Sequence, residues 1–185
     1  MGSEMCIRDR TTGVSQRPLA TDLAATRADL FAGAVCVVTP TRQSNPAAVR
    51  QVEQLWQAVG ARRLRLSPAA HDQMVSRSSH LPHVVAAQLT NLVLGPKRPR
   101  AQGLLCANGF RDSTRIAASS PEMWRDIALA NRENLLRALA GFASGLRDFQ
   151  RALKAGDARA VSKFFAQARK RRLAWARGAG ARPAE

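Results

Sequence analysis

The chain has 185 residues, which is enough for one domain or for one domain with part of a second. Hydrophobic residues make up 45% of the chain, which excludes wholesale disorder, and no apolar run approaches the roughly 20 residues that cross a bilayer. The net charge of +16 favours anionic partners, but the cationic side chains are scattered along the chain, so we expect neither nucleic-acid nor membrane binding.

The first part of the chain has the pattern of an α/β unit. Residues 1–12 are expected to be a non-native or disordered leader, because Met5 to Arg10 resembles a translated sequencing adapter. A short helical pattern follows over Asp22–Phe31. The next segment, Ala34–Thr39, is a continuous apolar run, which is typical of a parallel strand covered by helices.

A helix and a second strand follow. Asn45 as N-cap and Pro46 at the first helical position predict a helix start, and Gly60 predicts its end. Apolar side chains between them recur at spacings of three and four: Val49, Val52, Trp56 and Val59. Leu64 and Leu66 alternate with arginines, which indicates a half-buried strand near a sheet edge. Strand, helix and strand at this length predict a right-handed crossover.

Beyond Ser67 the hydrophobic period becomes helical. Ser67 predicts the cap of a long helix that runs to about Leu94. Pro82 lies inside this helix and predicts a kink near Ser78–Ser79, because proline removes a backbone hydrogen-bond donor. The segment Gly95–Arg100 is a linker by composition.

The C-terminal half predicts several more helices. A short helix is expected around Leu104–Leu105, with Asn108–Gly109 breaking it, and Ser120–Glu122 has the cap, proline and acid of another helix start. A heptad stripe for helix packing follows: Leu135, Leu139, Phe142, Leu146, Phe149 and Leu153. Gly156–Asp157 predicts the end of this helix and the cap of a last one, and Gly178–Glu185 is expected to fray.

Two histidines lie around the predicted kink. His80 and His83 are three residues apart and therefore share a helix face, and the kink frees carbonyl groups and opens a local pocket. One alternative is that both rings simply pack in a helix bundle. A metal site with His71 or a cysteine is not expected, since no nearby carboxylate or thiolate pair completes a ligand set.

Two arginines form a second candidate group. Arg111 and Arg115 are four residues apart, and Asp112 can hold one of them in place. A pair of guanidinium groups suits a carboxylate, which each can bind through two parallel hydrogen bonds. The alternative is a surface ion pair worth roughly 0–1 kcal/mol. A third segment, Met123–Ile127 with Asn131, is interpreted as the buried start of a helix.

Taken in order, these segments resemble the prephenate/arogenate dehydrogenase family. The matching stretches are Val38–Thr41, Leu55–Trp56, Gly60–Ala61, Ser67–Pro68, His71–Asp72, Ser79–His83, Gly109–Ala117, Ser120–Ile127 and Asn131. The resemblance runs from about Asp29 to about Phe149. It implies a mainly α protein, with an all-helical dimerisation domain over residues 68–185. A truncated α/β remnant of a Rossmann nucleotide-binding domain, residues 13–67, would precede it.

The resemblance also implies a reaction. Family members oxidatively decarboxylate prephenate or arogenate with NAD or NADP in tyrosine biosynthesis, prephenate giving 4-hydroxyphenylpyruvate, and they act as homodimers. By resemblance Arg115 would bind a substrate carboxylate with Arg111 assisting, and Asp112 would orient or gate the site. His83 and His80 would line the same pocket as neutral hydrogen-bond donors. The three widely spaced cysteines and the lack of a secretory leader favour the cytoplasm.

Two parts of the family pattern are missing from these 185 residues. No G-x-G-x-x-G motif is present, and the family's catalytic histidine belongs to a His-Pro motif where this chain has Gln16–Leu19. All three histidines lie later in the chain. We therefore expect a fragment without the front of the nucleotide-binding domain, which binds neither NAD nor NADP tightly and is inactive alone. The alternative is a non-catalytic helical dimerisation module with a carboxylate-binding pocket.

Overall fold

The computed structural model describes residues 31–97 and 100–180. The expected leader, the segment Gln16–Leu19 and nearly all of the helical pattern over Asp22–Phe31 lie outside the described residues. The chain divides into two compact units between His71 and Asp72. Helices dominate the described residues, which confirms the predicted mainly α class.

The first unit contains the predicted strand, helix and strand. Strand β1 is Val35–Val38, helix α1 is Pro46–Ala58 and strand β2 is Arg62–Arg65. The two strands pair in parallel, with Val35 opposite Arg62, so the predicted crossover connection is confirmed. All four residues of β2 are exposed, so the predicted half-buried character of this strand is wrong.

Local chemistry explains where α1 begins and ends. The side-chain Oδ1 of Asn45 accepts hydrogen bonds from the backbone amides of Ala47 at 2.8 Å and Ala48 at 3.4 Å, which satisfies two of the unpaired amides of the first turn. Gly60 has φ +81°, a conformation that glycine adopts without steric cost, and the chain turns there into β2. Both sequence signals are therefore confirmed.

The second stretch of helix is interrupted by a π-helical turn. Helix α2 is Pro68–Val75, the π turn is Ser76–His80 and helix α3 is Leu81–Leu94. Ser67 caps α2, since its Oγ accepts a backbone amide at 3.2 Å. The predicted end at Leu94 is confirmed, and a distortion does occur at the predicted place. It takes the form of a π turn just ahead of Pro82, which lies in the first turn of α3.

Two short helices follow. Helix α4 is Arg100–Leu104, helix α5 is Asn108–Thr114, and a 3₁₀ turn continues over Arg115–Ala118. Asn108 and Gly109 were expected to break a helix, and this prediction is wrong because α5 begins there. Both residues are tolerated in a first turn, whose backbone amides lack intrahelical partners in any case. The break falls at Cys106–Ala107 instead.

Three longer helices follow in the described part of the chain. Helix α6 is Pro121–Ala130, helix α7 is Arg132–Lys154 and helix α8 is Ala158–Gly180. The predicted start at Ser120 is confirmed, since its Oγ accepts the amide of Met123 at 3.3 Å. Within the described residues, no helix has the length and apolar character needed to cross a membrane.

The turn between α7 and α8 follows the prediction as well. Gly156 has φ +62°, and the carboxylate of Asp157 accepts the amide of Ala160 at 2.9 Å. Helix α8 runs two residues past Gly178, where fraying was expected; residues 181–185 lie outside the described residues.

The heptad stripe, called the α7 seam below, is only partly covered. It consists of Leu135, Leu139, Phe142, Leu146, Phe149 and Leu153. Leu135 is buried, and the ring of Phe149 lies 4.6 Å from that of Phe164 and 5.7 Å from that of Phe165 on α8. Phe142, Leu146 and Leu153 are 40–55% exposed. Part of the seam therefore packs α7 against α8, and the rest is exposed apolar surface.

Candidate functional site

The π turn determines where the two histidines lie. His80 is its last residue and His83 follows in the first turn of α3. Ser76, at the start of the turn, is buried and donates its hydroxyl to the carbonyl of Gln73 at 2.8 Å. His80 is also buried, at 6% exposure. The turn is thus anchored in the interior at both ends.

Trp124 joins the two histidines. Its ring stacks on His83, with centroids 3.6 Å apart and planes 25° apart. Its contact with His80 is edge-on, at 6.0 Å and 79°. The indole Nε1 is buried and has no hydrogen-bond partner among the described residues. Because Ser120 caps α6, the cap also determines the position of Trp124 in the first turn of that helix.

Asn131 completes the group from the junction of α6 and α7. Its side-chain Nδ2 donates to the carbonyl of Asp72 at 2.8 Å and lies 3.4 Å from Nδ1 of His80. Its Oδ1 accepts from Nδ2 of Asn134 at 2.8 Å. The residues His80, His83, Trp124 and Asn131 are called the histidine cluster below.

The hydrogen bond of His83 identifies its tautomer. Nδ1 lies 2.9 Å from the carbonyl oxygen of Ser79. A carbonyl only accepts, so Nδ1 carries the proton and Nε2 of the neutral ring is an acceptor. Among the described residues Nε2 makes no hydrogen bond. In this tautomer the proton of neutral His83 is engaged by the carbonyl of Ser79, and the expected role of His83 as a donor in the substrate pocket stays a prediction.

The arginine group lies on the elements next to the cluster. Arg111 is in α5 and Arg115 begins the 3₁₀ turn, and both elements pack against α3, which carries His83. Arg111, Asp112 and Arg115 are all exposed. In the described part of the chain, Asp112 forms no ion pair with Arg111. The change from α to 3₁₀ geometry between the two arginines means that they are not simply one α-helical turn apart.

Two acidic groups near the cap of α6 have altered pKa values. The pKa of Glu122 is lowered, first by its own backbone amide and then by the hydroxyl of Ser120, which donates to its carboxylate at 2.8 Å. The pKa of Asp126 is lowered by its hydrogen bond with Arg125. Both carboxyl groups are exposed. Glu122 lies in the first turn, where its charged carboxylate stabilises the start of α6.

Sequence reasoning missed two members of the cluster. Trp124 and Asn131 were interpreted as part of a buried helix start, whereas they hold the two histidines. Their spacing carried a signal, because Trp124, Ile127 and Asn131 recur at three and four and so share one face of α6. A polar amide at the end of that apolar face needs a buried partner.

The groups that the fold brings together here suit an aromatic ligand with anionic substituents. The cluster provides an imidazole acceptor and aromatic side chains, and the adjoining elements carry two guanidinium groups. In the described residues no group of three histidine, cysteine or acidic side chains could hold a metal ion.

Comparisons with known proteins show which family the chain resembles. Residues 67–167 match the family described as prephenate dehydrogenase, dimerization domain. The cyclohexadienyl dehydrogenase of Zymomonas mobilis is 34% identical over 149 residues, which cover 80% of this chain and 51% of that protein. The prephenate dehydrogenase of Bacillus subtilis is 34% identical over 152 residues, 80% of this chain and 40% of its own length.

Solved structures give the same result. Prephenate dehydrogenase from Aquifex aeolicus, in complex with hydroxyphenyl propionate and NAD+, superposes with a TM-score of 0.71 at 30% identity, over 81% of this chain and 53% of that one. Synechocystis arogenate dehydrogenase superposes with a TM-score of 0.70 at 27% identity, over 80% and 54% of the two chains. The chain thus spans about half the length of these relatives.

Proposed function

This chain belongs to the prephenate dehydrogenase family, and we propose that it is the substrate-binding and dimerisation half of an enzyme that oxidatively decarboxylates prephenate or arogenate, with NAD or NADP as hydride acceptor. The observation that carries the proposal is the stack of His83 on Trp124. The stack joins the indole of α6 to an imidazole acceptor on α3, the helix against which the arginine-bearing elements pack. A planar ring with anionic substituents fits this combination.

The arginines supply the charge that such a substrate needs. Prephenate and arogenate carry a carboxylate on the ring and another on the side chain. Arg115 would bind one carboxylate and Arg111 would assist, because a guanidinium group can bind a carboxylate through two parallel hydrogen bonds. Asp112 would orient these groups or gate the site.

The histidines would line the pocket in different ways. Neutral His83 can accept a hydrogen bond from a hydroxyl group, since its Nδ1 proton is engaged by the carbonyl of Ser79. With a second proton, the same Nε2 would donate to a carboxylate. His80 is buried and contacts Trp124 edge-on, which suits the inner wall of the pocket.

The described residues do not fit a dinucleotide. A cofactor clamp of this class needs a glycine-rich turn that leads from a strand into a helix, and these 185 residues have no G-x-G-x-x-G motif. We therefore propose that the 185 residues alone bind neither NAD nor NADP tightly and produce no measurable NADH or NADPH. The missing general base would by itself cost about 10²–10⁴-fold in rate.

We further propose that the partner of this chain is a second copy of it. The matched family region is a dimerization domain, and its residue range includes the whole α7 seam. The exposed part of that seam, which includes Phe142 and Leu146, would pack against its counterpart. Burial of a large apolar side chain is worth about 1.5–3 kcal/mol, so a few such residues suffice to favour association.

Calorimetric titration with hydroxyphenyl propionate tests the site. The 185-residue protein should bind this analogue weakly, and Arg115→Ala should weaken binding by at least tenfold, because a hydrogen bond to a charged group contributes about 1.5–3 kcal/mol. Arg171→Ala is the matched control, since Arg171 is an exposed arginine of α8. Equal losses in the two variants would mean nonspecific attraction to a chain of charge +16, and would refute the assignment of Arg115.

A further inference from the structure

Asn131 connects the π turn to the rest of the helical unit. We propose that Asn131 is a positioning residue that clamps the π turn and holds neutral His80 with its proton on Nε2, so that the two histidines of the cluster carry their protons on opposite nitrogens. Only the expected effect on substrate affinity rests on the proposed function. The geometry itself is independent of any ligand.

The orientation of the Asn131 amide follows from two neighbours. Nδ2 lies 2.8 Å from the carbonyl of Asp72, which can only accept, so this atom must be the amide nitrogen. On the other side, Oδ1 accepts a hydrogen bond from Nδ2 of Asn134 at 2.8 Å. Exchanging the oxygen and nitrogen of Asn131 would place oxygen against oxygen at the first contact and nitrogen against nitrogen at the second.

The second hydrogen of the amide reaches His80. Nδ2 of Asn131 lies 3.4 Å from Nδ1 of His80, and because Nδ2 is a donor, Nδ1 must be the acceptor. The proton of the neutral ring is therefore on Nε2. His83 has the opposite arrangement, with its proton on Nδ1 towards the carbonyl of Ser79. Asn131 is 7% exposed and His80 6%, so water does not readily replace this contact.

The same amide spans the distorted segment. Asp72 precedes the π turn and His80 is its last residue, so the two hydrogen bonds of Nδ2 join the chain before the turn to its end. A π turn inserts an extra residue into a helical turn and is not the favoured form of a free helix. A clamp across the turn stabilises this geometry from a residue 59 positions away.

The effect of the clamp reaches the pocket through Trp124. His80 contacts the indole ring edge-on, and the indole in turn stacks on His83. If His80 turns or shifts, the stack has to move with it. Asn131 would thus set the shape of the binding surface without touching the substrate.

Nitrogen-15 spectra of the histidine side chains test the proposal directly. The chain has three histidines, so His80→Gln and His83→Gln suffice to assign the signals. When both imidazole rings are neutral, we expect the spectral pattern of a protonated Nε2 for His80 and of a protonated Nδ1 for His83. Finding the Nδ1 proton on His80 in the unmodified protein would overturn the proposal.

Asn131→Asp is the informative variant, because it keeps the shape of the side chain and removes both N–H donors. We expect His80 to lose its preference for the Nε2 proton and the affinity for hydroxyphenyl propionate to fall by about tenfold. Asn91→Asp, an exposed position on α3, is the matched control and should change neither. Unchanged His80 signals in folded Asn131→Asp would refute the clamp. If the tautomers are as expected and the unmodified protein binds no analogue, the proposed function fails while the clamp stands.

Discussion

The histidine cluster and the α7 seam lie in the same helical unit. They differ in how many of their side chains find contacts within one copy of the chain. In the cluster, Asn131 satisfies its polar atoms with Asp72, His80 and Asn134 from its own chain. Along the seam, Phe142, Leu146 and Leu153 remain 40–55% exposed. A single copy therefore forms the contacts of the cluster, whereas the described residues leave part of the α7 seam uncovered.

The two regions should also respond differently to protein concentration. Contacts within one chain contribute to stability at any concentration, whereas contacts between copies contribute through mass action. Substitutions in the cluster should thus change the free energy of unfolding equally at low and high protein concentration. Substitutions in the seam should act mainly on the concentration at which the protein associates.

The largest expected effect is on the seam. Leu146→Asp places a carboxylate on a surface that has to be desolvated in the dimer, so we expect the dissociation constant of the dimer to rise by roughly 100-fold or more. Sedimentation equilibrium measures this constant. Ser144→Asp is the matched control, because its position is about 200° around α7 from Leu146 and exposed. Similar weakening by both substitutions would show that association does not use the seam.

A smaller effect is expected at the cap that positions Trp124. Ser120→Ala removes the acceptor for the amide of Met123 and should lower the free energy of unfolding by about 1 kcal/mol, at all protein concentrations. Urea unfolding followed by circular dichroism measures it. Ser144→Ala, inside α7, should not destabilise, since alanine favours helix interiors. A loss that depends on protein concentration would mean that the cluster, too, is completed by a second copy.

The smallest effect concerns pH. The pKa of Glu122 is lowered from 4.5 in the folded chain, so the charged carboxylate stabilises the fold above the unfolded pKa, and this contribution is lost as pH falls through the folded pKa. Glu122→Gln should therefore destabilise slightly at pH 7, and the difference from the unmodified protein should shrink below about pH 4.5. Urea midpoints at several pH values measure this; a constant difference would contradict the assignment.

Local signals in the sequence predicted much of the fold. The pairs Asn45–Pro46, Ser120–Pro121 and Gly156–Asp157 act within one helical turn, so each was recognisable without tertiary information. The continuous apolar run over Ala34–Thr39 predicted β1 for a similar reason. The break expected at Asn108–Gly109 was wrong, because residues that disfavour helix interiors are tolerated in a first turn.

The cluster was less predictable because it depends on distant contacts. The histidines were recognised as a pair, but the π turn that positions them is held by Asn131, 59 residues from Asp72. The tautomer of His83 depends on a single backbone carbonyl, that of Ser79, and spacing alone gives no information about it. Trp124 was visible as an apolar residue at a helix start, and its stacking on His83 appears only in the folded chain.

Native mass spectrometry with hydroxyphenyl propionate tests the seam and the pocket together, because it counts chains and bound molecules in the same particle. We expect a dimer that carries up to two molecules of the analogue, one in the pocket of each copy. A protein that stays monomeric at micromolar concentration would contradict the role of the seam, and a dimer that never carries the analogue would contradict the pocket.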